Sequence, residues 1–397
     1  MNTTVITMQS DNLQTRIEHC LALARVPARE VIVAPKDVDI EAWDYVGDPI
    51  AEDLVLALRA MPKRSGNALT DARQLQQEGN DAAIRFFKDV EHVPAWFDFE
   101  ETRAGAAMMA RNPLGLILGV HSSLPYTGVD ANTPRVMFST GRLGKDGDFE
   151  RRFWETSTGF IGVLDVDGMK PGGQQWQMWV RIRLLHSMVR LGILSRGKWE
   201  NPPRPSMPIS AIGSAIGPAI FGDIRTDVVR AFGYATDVER DSAARMWQWV
   251  SKILGCPPEL LPPNLHDQRE LTMRIFDRFY GPSDESKDYA AYVYEGLGRM
   301  RSMPFSESVH VALGRYLMSM PSLPRRHGSL TADDLGLRKQ PLLDAAVRVV
   351  AFSSRSVAQA YRVKPLASVA SQLGKKLIDK TVEFGLGGKK AQYTTHM

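Results

Sequence analysis

Two short stretches of this 397-residue chain carry side chains whose types and spacing could do chemistry. The first runs from Trp176 to Leu194, WQMWVRIRLLHSMVRLGIL. Read as a helix, it sets Ile182 and Arg183 one turn before His186 and Val189 and Arg190 one turn after it, since residues three and four apart are neighbours on a helix surface. A neutral imidazole is a good metal ligand. Two guanidinium groups beside it, among apolar residues, would suit a bound anionic group. The alternative reading is a hydrogen-bonded structural histidine beside surface arginines, and spacing alone leaves both open. The second stretch is Glu150 to Phe160, ERRFWETSTGF. On a helix, Arg152, Glu155 and Thr156 fall at i, i+3 and i+4, so a guanidinium, a carboxylate and a hydroxyl share one face. The plainer alternative is an Arg152–Glu155 surface pair, with the hydroxyl bonding back to its own helix. Trp154 and Phe160 read as core.

Other catalytic signatures do not occur. The chain has no Gly-x-Ser-x-Gly, no phosphate-binding Gly-rich loop with lysine and no His-Glu-x-x-His. His19, His92, His121, His266, His310, His327 and His396 are scattered without ligand spacing, and each reads as structural, although the run from His121 to Tyr126 could line a pocket. Cys20 and Cys256 stand far apart and form no Cys-x-x-Cys or Cys/His cluster, which argues against a zinc site or a disulfide framework and fits a reducing compartment.

The elements that must position these groups are helical. Asp48-Pro49 can start a helix, and Ile50, Leu54, Val55, Leu58 and Met61 recur at three- and four-residue steps. Similar periods mark 81–88, 101–109, 176–194, 226–232, 238–254, 267–279 and 289–299, and strand-type alternation is scarce. Proline- and glycine-bearing connections are spread too evenly to mark one linker, and no internal repeat is visible. An all-α chain follows, with a partly ordered N-terminal arm over 1–45, one large helical domain over 46–365, and a basic C-terminal helix and tail over 366–397. With 44% hydrophobic residues the domain can bury a sizeable core. A net charge of +4 is small for this length and gives no reason to expect a nucleic-acid partner. The N-terminus lacks a positive n-region and an apolar h-region, and no apolar run approaches the roughly 20 residues that span a bilayer. The expected location is therefore cytoplasmic, with no integral membrane segment. Lys375, Lys376, Lys380, Lys389 and Lys390 make the C-terminus basic, so weak peripheral contact with an anionic membrane stands beside the plainer reading of a solvated end.

In the order and spacing of several further motifs the chain resembles the latex-clearing-protein rubber oxygenases and the wider MpaB-type oxygenase family. The carriers are Val93-Pro-Ala-Trp96, Thr140-Gly-Arg-Leu143, the Arg-x-x-x-Thr of Arg152 and Thr156, Arg183-x-x-His186-x-x-x-Arg190, Trp199, Met207-Pro-Ile209, Phe221 and 247–262. None is specific singly. The resemblance runs from about Asp48 to about Arg315 and implies a single large helical domain with a globin-like core and a haem b cofactor. It implies His186 as the proximal ligand to the iron, Arg183 and Arg190 around the haem, and Arg152 and Thr156 on the distal side. Two departures stand out. Rubber oxygenases carry a lysine just before the distal threonine, able to cap the iron in a closed state, and this chain has Glu155 there. The family's proposed glutamate base falls on Val136, so Glu155 is the candidate for that role.

The chemistry the resemblance implies is oxidation or cleavage of a C=C bond in an isoprenoid or other unsaturated apolar substrate by O2 at haem iron. Rubber is a poor candidate, since no export signal is visible, and an intracellular isoprenoid, a prenylated metabolite or an unsaturated lipid fits better. Two other classes remain open at this point. A non-catalytic haem-binding protein, a gas sensor or haem store, would keep His186 and tolerate loss of Arg152 and Thr156. A structural or lipid-binding helical protein would bind no haem.

Overall fold

Helices begin where polar side chains can accept their first free N–H groups. Asp48 caps Pro49–Ala60 through Ala51 N (3.1 Å), and Asn80 caps Asp81–Val90 through Ala83 N (3.1 Å). Thr236 and Glu239 form a reciprocal capping box at the start of Asp237–Ile253. The computed structural model describes residues 12–139, 149–320 and 331–388. Among these it is all-α, with no strand beyond one isolated bridge between Asp130 and Tyr280. The helices expected from periodicity are present, together with others whose pattern is less regular, such as Pro113–Tyr126, Glu307–Leu317 and Pro341–Ala358.

The helix Gln174–Ser195 runs through the middle of this assembly. Its 22 residues span about 33 Å at 1.5 Å per residue. One face, with Trp176, Val180 and Leu184, packs against Leu54 and Leu58 of the Pro49–Ala60 helix, Phe86 and Phe87 of Asp81–Val90, and Trp247 and Val250 of Asp237–Ile253. Phe149–Gly162 precedes it, joined by residues 163–173, and is held from the other side. The Trp154 indole N–H donates to Ser302 Oγ (2.7 Å), and Gly296 packs against the Phe149 ring with no room for a Cβ.

The expected N-terminal arm needs correction. Within 12–45 the chain forms the helix Leu13–Ala24 and the single turn Ile40–Trp43, and it buries Cys20, Val38, Ile40 and Trp43 in the larger of the core clusters. Arg29 fixes it further by a two-point pair with Glu259 (2.7 and 2.9 Å). The segment shows no sustained period because short helices, a 3-10 turn and extended links share it, each burying only a few side chains. At the other end, the helix Lys364–Gly385 lies on Arg103–Arg111, where Gly374 rests on the Ala110 carbonyl. Lys389 and Lys390 fall outside the described residues, as does Thr140-Gly-Arg-Leu143.

Candidate active site

Arg152 and Thr156 occupy one face of Phe149–Gly162, one turn apart, and the plain alternative for each is taken up by its neighbour. Glu155 pairs with Arg151 (3.0 Å, one turn before it) and not with Arg152, so the expected electrostatic neighbour of Glu155 is corrected. The reason is the register: 151 and 155 stand one above the other, which turns Arg152 toward the next row. Likewise Ser157 and Thr158, not Thr156, donate back to the helix, to the carbonyls of Phe153 (2.6 Å) and Trp154 (2.8 Å). Arg152 keeps a buried Nη1 with no acceptor, and the exposed Thr156 hydroxyl bonds to no described residue.

His186 stands at the border of the buried face of its helix, two turns beyond Trp179 in the same row. Its ring makes no hydrogen bond with a described residue. Burial, reinforced by the positive charge of Arg190 and opposed by Asp48, pushes its pKa down to about 4. The imidazole is therefore neutral at physiological pH with a lone pair to offer, which is the state a metal requires.

The flanking arginines are bound within the protein. Arg183 donates through Nε and Nη2 to Asp48 (2.6 and 3.0 Å) and through Nη1 to Asp89 (2.6 Å), fully buried. Burial opposes ionisation of Asp89, yet Lys252 and Arg183 together hold its carboxyl well below the usual carboxylate range. Arg190 donates to Glu52 (2.7 Å) and, through Nε, to the carbonyls of Pro208 (3.0 Å) and Ile209 (3.2 Å). Ile209 presents that carbonyl from a left-handed conformation, φ 51°. The charge expected to await a bound anion is thus neutralised inside the fold. These arginines fasten the His186 helix to Pro49–Ala60 and to the Met207-Pro-Ile209 loop.

The Phe149–Gly162 and Gln174–Ser195 helices touch beside their connection. Gly159 meets Met178 and Trp179, and Phe160 lies edge-on to Trp179 (6.0 Å between ring centroids). From that contact Arg152 lies seven or eight residues back along one helix and His186 seven or eight residues on along the other, about 11 Å in each case. Phe160, Trp179, Phe221 and Trp247 make a continuous aromatic cluster at the contact, with centroids 4.6 to 6.0 Å apart.

Two features escape sequence reasoning. His121 and His310, 189 residues apart, meet in the core, with Nε2 and Nδ1 separated by 3.0 Å and the rings stacked. Burial, and then His310, pushes His121 down to about 3, so the pair is neutral. The other is Arg225. It is fully buried, its Nε, Nη1 and Nη2 all lack an acceptor, and its guanidinium lies over the rings of Phe160 (5.6 Å) and Trp247 (5.5 Å). In sequence, Arg225 looks like any arginine beside an aspartate.

The family model for "ER-bound oxygenase mpaB/B'/Rubber oxygenase, catalytic domain" matches residues 100–362, about two thirds of the chain. Among curated proteins none matches the sequence. A solved structure described as latex clearing protein LCP in the closed state has the same fold, with a TM-score of 0.61 over 91% of this chain and 94% of that one, at 18% identity.

Proposed function

Because this chain belongs to the mpaB and rubber oxygenase catalytic-domain family, we propose that it is a haem b-dependent oxygenase acting on the C=C bonds of an apolar unsaturated substrate, with His186 as the iron ligand. What carries this reading is a coincidence of unused valences. His186 offers a neutral imidazole with no bond to a described residue, and Arg152 offers a buried donor that no described residue takes, with the exposed Thr156 hydroxyl one turn beyond it. A buried donor left without an acceptor costs stability, so its retention points to an acceptor that arrives with a ligand. The equal helical distances from the Phe160–Trp179 contact support placing the two groups at one level.

The donor set fits a haem. The haem would supply the reactivity toward O2 that side chains lack. The protein's own part is positional. The Asp48–Arg183–Asp89 and Glu52–Arg190 pairs hold the His186 helix in place, and the aromatic cluster packs the contact between the Phe149–Gly162 and Gln174–Ser195 helices. Arg152 and Thr156 would supply hydrogen-bond donors to negative charge on a bound substrate oxygen. Glu155 stands as the candidate base, with Arg151 orienting its carboxylate. No lysine is available at position 155 to cap the metal. What favours the oxygenase over a haem store or gas sensor is the family model itself, that of an oxygenase catalytic domain.

The decisive experiment is an absorption spectrum of protein expressed with added iron and haem precursor. The parent should show a stoichiometric Soret band, and His186→Ala should lose it while keeping its helical circular dichroism. Full haem occupancy in that variant would overturn the assignment. O2 consumption with a squalene- or carotenoid-like alkene then tests the reaction.

No helix among the described residues is long and apolar enough to cross a membrane. For location we propose the cytoplasm, supported by Cys20 and Cys256, both buried as free thiols. Peripheral contact with an anionic membrane we assign to the helix Lys364–Gly385. Leu366, Val369, Leu373, Leu377 and Phe384 align on one face of it, each at least half exposed, with Lys376 and Lys380 at the stripe's edge.

A further inference from the structure

Arg225 is buried, and among the described residues no carboxylate pairs with it. The groups nearest its guanidinium are the π faces of Phe160 and Trp247, which attract a cation but accept no strong hydrogen bond. Asp223 and Asp227, two residues to either side, are both engaged elsewhere: Asp223 with Arg269 (2.7 Å) and Asp227 with Arg240 (2.5 Å). An arginine in this position carries the desolvation penalty of a buried ion without the compensation of a partner. Burial alone pulls its pKa down to about 9, which still leaves it charged near neutrality.

The guanidinium also borders a cavity. Between the Arg103–Arg111 helix, Leu116, Leu164 and the Asp237–Ile253 helix lies a narrow, partly open cleft of about 20 Å³, room for little more than one water. Met109, Leu116, Val163, Leu164 and Met246 make its wall apolar, and Arg225 is the charged group on it. Phe160 and Trp247 belong both to this wall and to the aromatic cluster that reaches Trp179 in the His186 row.

We propose that Arg225 is a carboxylate-binding residue, and that the cleft beside it receives the acid end of an apolar ligand. A planar guanidinium with every N–H unused can take a carboxylate through two parallel hydrogen bonds, and the apolar residues at the mouth of the cleft suit the carbon chain that follows it. Two sources share this chemistry: a free long-chain or isoprenoid acid, and a carboxylate carried by the cofactor. The first is independent of the haem reading; the second rests on it.

The test uses the full chain at neutral pH, with three variants. Thermal unfolding of haem-free protein is followed with dodecanoic acid and with dodecanol, and haem uptake is compared between haem and its dimethyl ester. If the acid is a free ligand, dodecanoate binds the parent at least about tenfold more tightly than dodecanol, as a charge-assisted pair requires, and Arg225→Gln abolishes that preference. If the acid belongs to the cofactor, the same Arg225-dependent preference separates haem from its ester. Arg225→Lys keeps part of whichever preference is seen. Arg225→Met in the ligand-free protein should unfold at a temperature higher by about 2 °C or more, because an unanswered charge is replaced by a packed apolar chain. A lower unfolding temperature for Arg225→Met, or a preference for the acid that survives Arg225→Gln in both arms, overturns the proposal.

Discussion

Arg183 and Asp48 form a buried two-point ion pair, Nε to Oδ2 at 2.6 Å and Nη2 to Oδ1 at 3.0 Å, that ties the centre of the His186 helix to the capped start of Pro49–Ala60. Gly255, at φ +86°, closes over this pair so tightly that a Cβ would overlap both Asp48 and Arg183. The same aspartate therefore caps one helix and neutralises another.

Breaking that pair from the Asp48 side leaves the buried Arg183 with Asp89 as its one carboxylate, which Lys252 already shares. Asp48→Ala should lower unfolding stability by about 3–5 kcal/mol, with the loss of the cap included. Arg183→Lys should fall well short of restoring it, since an ammonium cannot reproduce the forked geometry. Urea denaturation of the variants checks this, and a loss below about 1 kcal/mol for Asp48→Ala would mean that the pair does not anchor the helix.

Substitutions at Arg152 and Thr156, the proposed oxygen-side donors, should behave in the opposite way. Arg152→Ala removes a buried donor with no partner among the described residues, so stability should be unchanged or slightly raised and haem content unchanged. Turnover should drop by roughly one to two orders of magnitude, the worth of a charge-assisted bond made chiefly in the transition state. Thr156→Ala should show a milder loss. O2 consumption measured beside haem content separates the two effects, and full activity in both variants would remove Arg152 and Thr156 from the site.

The His121–His310 pair predicts a pH dependence with a definite sign. His121 has an ordinary value of 6.5 and lies at about 3 in the folded chain, so below 6.5 the unfolded state binds a proton that the folded state refuses. Its contribution to stability is intact above that value and declines as pH falls toward 3. Between about pH 7 and pH 5 the loss from His121 should be on the order of 2 kcal/mol. His310, also lowered by burial, adds in the same direction. Denaturant unfolding at the two pH values should show His121→Gln losing less than the parent over this interval, and an equal loss in both would rule the pair out as its source.

The exposed stripe on Lys364–Gly385 should direct membrane contact. Co-sedimentation with vesicles containing phosphatidylglycerol should exceed that with pure phosphatidylcholine, fall with salt, and disappear in Leu373→Asp/Leu377→Asp, with no loss of haem. Equal binding to both vesicle types would assign the stripe to something other than an anionic surface.

Periodicity by itself determined the helices that bury one clean face, such as Pro49–Ala60 and Asp237–Ile253, because a 3.6-residue repeat of apolar side chains is stable only as a helix against a core. It also brought Arg152 with Thr156, and His186 with Arg183 and Arg190, onto common faces, since residues three and four apart are neighbours whatever surrounds the helix. What those faces meet is a property of packing between distant segments. Tertiary structure alone decided that Asp48, Asp89 and Glu52 neutralise Arg183 and Arg190, 94 to 138 residues away, leaving no spare charge beside His186. It alone joined His121 to His310, drew residues 12–45 into the core, and left Arg225 unanswered against Phe160 and Trp247. The physical reason is the same in each case: local spacing fixes direction along a helix, while burial and charge pairing depend on what the rest of the chain packs against it.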